Sequence, residues 1–239
     1  MFFVASPLLI AHRGASAEKP ENTLAAFRRA LALKADGIEL DVHVSRDGMP
    51  VVFHDPDLFR LTGVRGRITA QTWRELKKLR VRGTEPIPRL ADVLRLIRGR
   101  AVVQIELKTG VPVAPVVRAI KVARATKRVI FASFDPGLVR AARRLAPAVP
   151  RMLIADGRQT PASLVRQLAA LGASGLSVNH RAVRTAAWLH YFQSRDYTVW
   201  CWTVNDPARM RKLAAWGVDA ILSDNPALLA RTLSPGLSF

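Results

Sequence analysis

Residues 101–133 read AVVQIELKTGVPVAPVVRAIKVARATKRVIFAS. The stretch opens with a short apolar run at 101–107, continues with a helical pattern over 114–125, and closes with a second apolar run at 128–133. Short apolar runs that alternate with helical stretches are typical of parallel strands joined by helices. The stretch therefore predicts one unit of a parallel sheet that is covered by helices.

The same alternation extends in both directions along the chain. It predicts eight strands, at Leu8–His12, Gly37–Val42, Ala101–Leu107, Arg128–Ser133, Arg151–Ala155, Gly175–Val178, Thr198–Val204 and Asp219–Ser223. It predicts eight helices, at Thr23–Lys34, Leu90–Ile97, Ala114–Ala125, Pro136–Leu145, Pro161–Leu171, Ala182–Ser194, Pro207–Trp216 and Pro226–Thr232. Eight strands and eight helices in strict alternation predict an α/β fold, the closed (β/α)8 TIM barrel.

One further strand-like run, Pro50–His54, interrupts this alternation. Only Arg46-Asp47-Gly48 and a methionine separate it from the second strand, which is too few residues for a parallel crossover. An Asp-Gly turn favours a hairpin, so we expect the run to fold back on the second strand. We predict a small insertion after the second strand, approximately residues 45–88, that caps the barrel mouth and contains a short helical patch around Thr72–Leu79.

The composition excludes several classes of protein. A chain of 239 residues with 49% hydrophobic residues can bury a substantial core, which excludes global disorder and fits one barrel domain over residues 1–239. A single cysteine, Cys201, excludes a disulfide framework and a cysteine-rich zinc site. No apolar run reaches the ~18 residues of a membrane span, and the apolar start of the chain is interpreted as a core strand. Cytoplasmic residence is the expectation.

The charge balance is strongly basic. The 37 basic and 18 acidic residues give a net charge of +19, which attracts polyanions, anionic membrane surfaces or phosphate-bearing substrates. Aromatic residues make up only 7% of the chain, which disfavours a nucleic-acid surface built on exposed rings. We interpret the excess charge as mainly a solvated surface that steers anionic substrates.

Acidic residues gather where the predicted strands end, which is where the active site of a barrel lies. Glu39 and Asp41 share one face of the second strand, and Glu106 ends the third. Three crowded carboxylates need a cation, and oxygen ligands suit one divalent ion, Mg²⁺ or Ca²⁺. The alternative interpretation is that these residues form salt bridges with arginine and lysine side chains.

Two histidines accompany the carboxylates. His12 ends the first strand and His54 ends the hairpin, so they are candidates for an acid–base pair. A single buried histidine is more often structural, and that interpretation is kept for His43, His180 and His190.

Basic and polar residues complete the predicted rim. Arg13 and Lys108 are candidate phosphate contacts, although they could instead pair with the carboxylates. Asn22 or Thr23 could cap the first helix, and Asn22 could equally line the site.

The ordered motifs resemble those of the glycerophosphodiester phosphodiesterases over nearly the whole chain. They are His12-Arg13-Gly14, Pro20-Glu21-Asn22-Thr23, Glu39-Leu40-Asp41-Val42, Asp47-Gly48, Val51-Val52-Phe53-His54-Asp55, Glu106-Leu107-Lys108, Ser133-Phe134-Asp135, Trp202-Thr203-Val204-Asn205, Gly217-Val218-Asp219 and Ser223-Asp224-Asn225-Pro226. Each motif is weak alone, but the ordered set is specific.

The resemblance implies a TIM barrel with a small insertion after the second strand, and hydrolysis of glycerophosphodiesters to glycerol 3-phosphate and an alcohol.

The resemblance also implies roles for individual residues. Glu39, Asp41 and Glu106 would hold a divalent ion, and His12 and His54 would be catalytic. Arg13 and Lys108 would contact the phosphate, Trp202 would line the glycerol side, and Glu21, Asn22 and Asn205 would support the site. Independently of the resemblance, we expect a small-molecule substrate, no obligate nucleic acid, at most peripheral membrane contact, and a monomer or homodimer.

Two other functions remain open at this stage. One is a phosphodiesterase of the lysophospholipase D type that acts on lysophospholipids, held at an anionic membrane by the positive charge. The other is a barrel that binds phosphate or nucleic acid without turnover. The full set of histidine and carboxylate positions disfavours the second, because binding alone would not need it.

Overall fold

The computed structural model describes residues 6–233. Its strands are β1 (Leu8–His12), β2 (Gly37–Val44), β3 (Pro50–Val52), β4 (Arg80–Val81), β5 (Glu85–Pro86), β6 (Val102–Leu107), β7 (Val129–Ser133), β8 (Arg151–Ala155), β9 (Gly175–Asn179), β10 (Thr198–Trp202) and β11 (Ala220–Ser223). Its α-helices are α1 (Leu24–Ala32), α2 (Phe59–Thr62), α3 (Trp73–Leu76), α4 (Leu90–Ile97), α5 (Val113–Val122), α6 (Pro136–Leu145), α7 (Pro161–Leu171), α8 (Ala186–Gln193), α9 (Pro207–Ala215) and α10 (Pro226–Leu233). None of these helices is long and apolar enough to cross a lipid bilayer.

Eight of the strands close into a parallel barrel. β2 pairs with β6, each of β6 to β11 pairs with the next, and β1 pairs in parallel with both β11 and β2. A helix follows every barrel strand on the way to the next one. The prediction of a (β/α)8 TIM barrel is confirmed, because this closed parallel arrangement with outer helices defines that fold.

Local sequence explains where the helices start. The Thr23 hydroxyl accepts a hydrogen bond from the Ala26 amide, so Thr23 rather than Asn22 caps α1. Asp135 and Asp206 cap α6 and α9, and each stands just before a proline at the first helical position. The caps place each helix start beside the strand end that precedes it, and therefore on the rim formed by the carboxyl ends of the strands.

The ends of eleven of the sixteen predicted elements differ from the structure, most of them by one or two residues. β2 runs to Val44 rather than Val42, because the hairpin strand β3 supplies it with two more pairing partners. α8 begins at Ala186, since the Asn179 side chain accepts a bond from the Arg181 amide and starts a short 3₁₀ turn instead. β10 ends at Trp202, two residues earlier than predicted.

The hairpin prediction agrees with the strand pairing. β3 runs antiparallel to β2, with Val52 opposite Val42 and Pro50 opposite Val44. The segment beyond it has its own apolar cluster of buried side chains, formed by Val51, Phe53, Leu58, Leu61, Ile68, Leu76, Val81 and Ile87. We call residues 45–88 the cap. Its helix α3 is shorter than the predicted helical patch, and the assignment of the chain to a single domain stays a prediction.

Candidate active site

Strand register brings the predicted site residues together at one end of the barrel. His12 on β1 lies opposite Glu39 on β2, and Asp41 on β2 lies opposite Glu106 on β6. Paired residues of parallel strands point to the same face, and so do residues two apart on one strand. The four side chains therefore meet inside the barrel mouth.

The three carboxylates form a compact cluster. One oxygen from each of Glu39, Asp41 and Glu106 lies within 4.8 Å of the other two. Glu39 and Asp41 are almost fully buried, with 3% and 1% of their surface exposed. A cluster of three carboxylate oxygens matches the ligand preference of a hard divalent cation.

Burial and neighbouring charges shift the pKa values of all three carboxylates. Burial, then repulsion from Asp41 and Glu106, raises the pKa of Glu39 well above its usual range. Burial, then repulsion from Asp41, raises the pKa of Glu106 to about 7. Burial also opposes ionisation of Asp41, but Lys108 and Arg13 outweigh it and hold the Asp41 pKa well below its usual range. A bound cation would relieve this repulsion, so the residues present fit a divalent ion.

The two predicted phosphate contacts pair with the carboxylates. The Lys108 ammonium lies 2.7 Å from Asp41 Oδ1 and also donates to Glu106. Arg13 Nε lies 3.4 Å from Asp41 Oδ2 without hydrogen-bond geometry, and it is buried without a partner among residues 6–233. Arg13 Nη1 donates to Glu21 at 2.9 Å. Asp41 and Glu106 thus form salt bridges with these cations, whereas the only ion pair of Glu39 within residues 6–233 is with His12, and both cations also line the cavity described next.

The cavity beside the carboxylates has a volume of about 170 Å³ and two chemically different walls. Its polar wall includes His12, Glu39, His54 and Glu106, together with both cations. Its apolar wall includes Trp202, which packs edge-on against Phe134 with 5.8 Å between the ring centroids. A small molecule with one anionic end and one organic end matches this division.

A carboxylate holds each of the two histidines through the same ring nitrogen. His12 Nδ1 lies 2.7 Å from Asp224 Oδ1, and His54 Nδ1 lies 2.6 Å from Asp55 Oδ1. A carboxylate only accepts, so each Nδ1 carries the proton and each Nε2 is the nitrogen that can exchange one with a ligand. Burial lowers the pKa of the His54 ring.

The three residues predicted to support the site contact its members. Asn22 donates from Nδ2 to Asp41 Oδ2 at 2.7 Å and accepts from the Asp41 amide at 3.3 Å. Asn205 donates from Nδ2 to Asp224 Oδ2 at 2.6 Å. Glu21 accepts bonds from two arginines, Arg13 and Arg60.

The backbone after β1 is shaped for this arrangement. Gly14 has a φ of +81°, and a Cβ there would lie 2.8 Å from the Ala26 backbone. Only glycine fits both conditions, so the loop can turn sharply against α1. The turn directs the Arg13 amide at Glu39 Oε2, 3.0 Å away.

Sequence reasoning gave no role to several residues of the site. Asp55 and Asp224 orient the histidines. Both could have been found in the sequence, because Asp55 directly follows His54 and Asp224 directly follows the last barrel strand. No sequence signal indicated Arg60, because it lies inside the cap and does not follow a barrel strand. Phe134 stood in a quoted motif but received no function.

The other three histidines lie outside this constellation. His43 Nε2 is bonded to the His54 carbonyl at 3.1 Å, and burial lowers the His43 pKa. Arg209 contacts His180 through the ring and the backbone carbonyl. His190 lies within α8. Their expected structural role stays a prediction.

Comparison with known proteins gives the family. Residues 12–228 match the glycerophosphoryl diester phosphodiesterase family. A glycerophosphodiester phosphodiesterase of Caldanaerobacter subterraneus is 33% identical, with 96% of this chain and 98% of that protein covered. One from Bacillus altitudinis is 32% identical, with 91% and 94% covered.

Solved structures agree with the sequence match. A phosphodiesterase from Oleispira antarctica, in complex with the product sn-glycerol-3-phosphate, superposes with a TM-score of 0.85 at 27% identity, covering 95% of this chain and 96% of that one. A glycerophosphodiester phosphodiesterase from Agrobacterium tumefaciens superposes with a TM-score of 0.83 at 29% identity, covering 94% and 99%. The matched span runs from His12 past Asp224 and so includes the whole cluster, and the chain belongs to the glycerophosphoryl diester phosphodiesterase family of hydrolytic enzymes.

Proposed function

We propose that the protein hydrolyses small-molecule glycerophosphodiesters, such as glycerophosphocholine or glycerophosphoethanolamine, to glycerol 3-phosphate and an alcohol. The observation that carries the proposal is a cluster of three carboxylates, two of which line one cavity together with two carboxylate-bound histidines. Family membership supports the same reaction class. A barrel that only binds phosphate would not need two imidazoles held in a defined tautomer.

Glu39, Asp41 and Glu106 would hold one divalent ion, Mg²⁺ or Ca²⁺. When bound, the ion would neutralise charge on a phosphoryl oxygen as a Lewis acid. The support is the closeness of the three carboxylates and the raised pKa values of two of them. An oxygen-only ligand set favours these two metals over zinc.

The two histidines would divide the proton transfers. One Nε2 accepts a proton from the nucleophile, which is either water or the glycerol hydroxyl next to the phosphate. In the second case the product is a cyclic phosphodiester, which water must then open to give glycerol 3-phosphate. The other Nε2, in its protonated form, donates to the departing alkoxide, so that the P–O bond breaks without releasing a free alkoxide. Asp224 and Asp55 keep both rings oriented through Nδ1.

The cations and the aromatic wall would bind the two ends of the substrate. Arg13 and Lys108 lie on the polar wall, where they can contact phosphoryl oxygens and stabilise charge as it accumulates. Trp202 provides an apolar surface for the glycerol carbons. Burial of the substrate against this wall would displace water from the phosphate and strengthen the polar contacts.

One observation favours a second activity, on lysophospholipids. Phe134 extends the apolar wall of Trp202 and is 47% exposed, so an acyl chain could leave the cavity along it. Turnover of lysophosphatidylcholine compared with glycerophosphocholine separates the two activities. Cytoplasmic residence, peripheral membrane contact and a monomeric or homodimeric state stay predictions from the sequence.

The test of the proposed function is the release of glycerol 3-phosphate from glycerophosphocholine and glycerophosphoethanolamine, with and without EDTA. We expect turnover that EDTA abolishes and that added Mg²⁺ or Ca²⁺ restores. Turnover unaffected by EDTA would overturn the metal site and leave the hydrolase. No turnover with either substrate, with metal present, would overturn the proposed function.

A further inference from the structure

One arginine of the cap contacts two carboxylates of the site, one bonded to His54 and the other bonded to Arg13. Arg60 in α2 donates to Asp55 twice, from Nε to Oδ2 at 2.5 Å and from Nη2 to Oδ1 at 2.9 Å. Asp55 Oδ1 is the same atom that holds His54 Nδ1. Arg60 therefore fixes the carboxylate that fixes the histidine.

The same guanidinium also holds Glu21. Its Nη1 donates to Glu21 Oε2 at 3.0 Å and its Nη2 to Glu21 Oε1 at 2.8 Å. Glu21 Oε1 in turn accepts from Arg13 Nη1 at 2.9 Å. Two chains of contacts thus start at Arg60, one ending at His54 and the other at Arg13.

The cap places Arg60 firmly enough for this role. Its neighbours Leu58 and Leu61 are 1% and 2% exposed and belong to the apolar cluster of the cap. Gly63, in a left-handed conformation, ends α2 one turn later. The backbone that carries Arg60 is therefore anchored on both sides by buried leucines.

Stability alone does not account for these contacts. The Arg60 side chain is 42% exposed, and solvent contact of that extent weakens the contribution of ion pairs to folding, including those of a bidentate network. The two carboxylates that Arg60 contacts are each joined to a residue of the proposed catalytic or phosphate-binding set. The arrangement therefore favours a role in the reaction over a role in folding.

We propose that Arg60 is a positioning residue of the hydrolase, which orients His54 through Asp55 and Arg13 through Glu21. The inference rests on the proposed function. It adds a residue that is not among the site residues implied by the family motifs. A planar fork with several donors can bind two carboxylates bidentately, whereas an ammonium cannot. The cap would therefore complete the site in addition to covering it.

Steady-state kinetics on glycerophosphocholine test the proposal, using Arg60→Ala, Arg60→Lys and the control Arg65→Ala. Arg65 is exposed in the same segment and makes no ion pair within residues 6–233. We expect Arg60→Ala to lower kcat at least ~10-fold, Arg60→Lys to recover part of it, and Arg65→Ala to match wild type. All variants should unfold within a few degrees of wild type.

A double-mutant cycle identifies the route. If Arg60 acts through Asp55 as well as through Glu21, the loss in kcat of the combined Asp55→Ala and Arg60→Ala variant should be smaller than the product of the two single losses. Losses in kcat that multiply would overturn that route. An Arg60→Ala enzyme within about twofold of wild-type kcat and KM would overturn the proposal as a whole.

A second readout does not depend on turnover. Long-range ¹H–¹⁵N spectra resolve the ring nitrogens of the five histidines, and the His54→Ala spectrum assigns His54. We expect a slowly exchanging Nδ1 proton on His54 in wild type and in Arg65→Ala, and its loss in Arg60→Ala. An unchanged His54 signal in Arg60→Ala would overturn the proposal. An inactive wild type with this spectral change would instead overturn the proposed function and keep the positioning role.

Discussion

Replacing Glu106 with glutamine should stabilise the metal-free protein while weakening its response to metal. Glu106 is crowded against Asp41 and Glu39, and burial and repulsion raise its pKa to about 7. Glutamine keeps the size of the side chain and an oxygen that can accept from Lys108, but it removes the charge. Lys108 also keeps its bond of 2.7 Å to Asp41. The substitution therefore removes repulsion at small structural cost.

The size and the sign of the effect follow from the pKa. Because folding raises the pKa of Glu106 from the ordinary 4.5 to about 7, ionising it at pH 8 costs about 3 kcal/mol of folding free energy. Stability from this group is fully present below pH 4.5 and is lost as the pH rises through 7. For a domain of this size, 3 kcal/mol corresponds to roughly 6–12 °C in Tm. Glu106→Gln should therefore have the higher Tm at pH 8, and the difference should shrink towards pH 5.

Thermal unfolding of EDTA-treated protein between pH 5 and pH 8.5 measures this difference, followed by titration with MgCl₂ or CaCl₂. The control is Glu18→Gln, since Glu18 forms an exposed pair with Arg29 outside the site and should leave Tm almost unchanged. Metal should raise the Tm of wild type more than that of Glu106→Gln, because binding stabilises the folded state. Equal Tm values at pH 8 together with equal metal responses would refute the reasoning.

Two further substitutions test the acid–base chemistry. His12→Ala and His54→Ala should each lower kcat at least ~10²-fold, the usual contribution of a positioned acid or base, and a variant with wild-type turnover would remove that histidine from the mechanism. Asp224→Asn should lower kcat, because an amide can present its NH₂ group to His12 Nδ1 and favour the wrong tautomer of the ring. The metal-induced rise in Tm of this variant should match that of wild type. A loss of that rise would contradict a role of Asp224 that is confined to His12.

The sequence was sufficient to predict the barrel because local signals and the global fold agree. Helix caps such as Asp135 and Asp206 mark where strands give way to helices, and the Asp47-Gly48 turn marks the hairpin. The predicted ends were wrong where tertiary contacts decide them. β2 is longer than its apolar run because β3 pairs with it, and no pattern within β2 could indicate that partner.

The first contacts of the site were predictable for a similar reason. A parallel barrel collects its strand ends on one rim, so Glu39, Asp41, Glu106 and His12 could be placed together from their positions alone. The next layer of contacts was not. The bond between Asp224 and His12 joins residues 212 positions apart, and that of Arg60 to Glu21 depends on how the cap folds over the rim. No periodic pattern in the sequence predicts either of these two contacts.

The charges of the site explain why metal and substrate should act together in a chain of net charge +19. Six of its 18 acidic residues lie in the site, namely Glu21, Glu39, Asp41, Asp55, Glu106 and Asp224, and within residues 6–233 the lysine and arginine side chains paired with them are Arg13, Arg60 and Lys108. Fully ionised, the site carries three negative charges in excess and would repel a phosphodiester. The basic surface can attract that anion to the protein, but it cannot hold it at the rim. A divalent ion held by Glu39, Asp41 and Glu106 would remove two of the three charges, so a bound metal would favour binding of the anion as well as its hydrolysis.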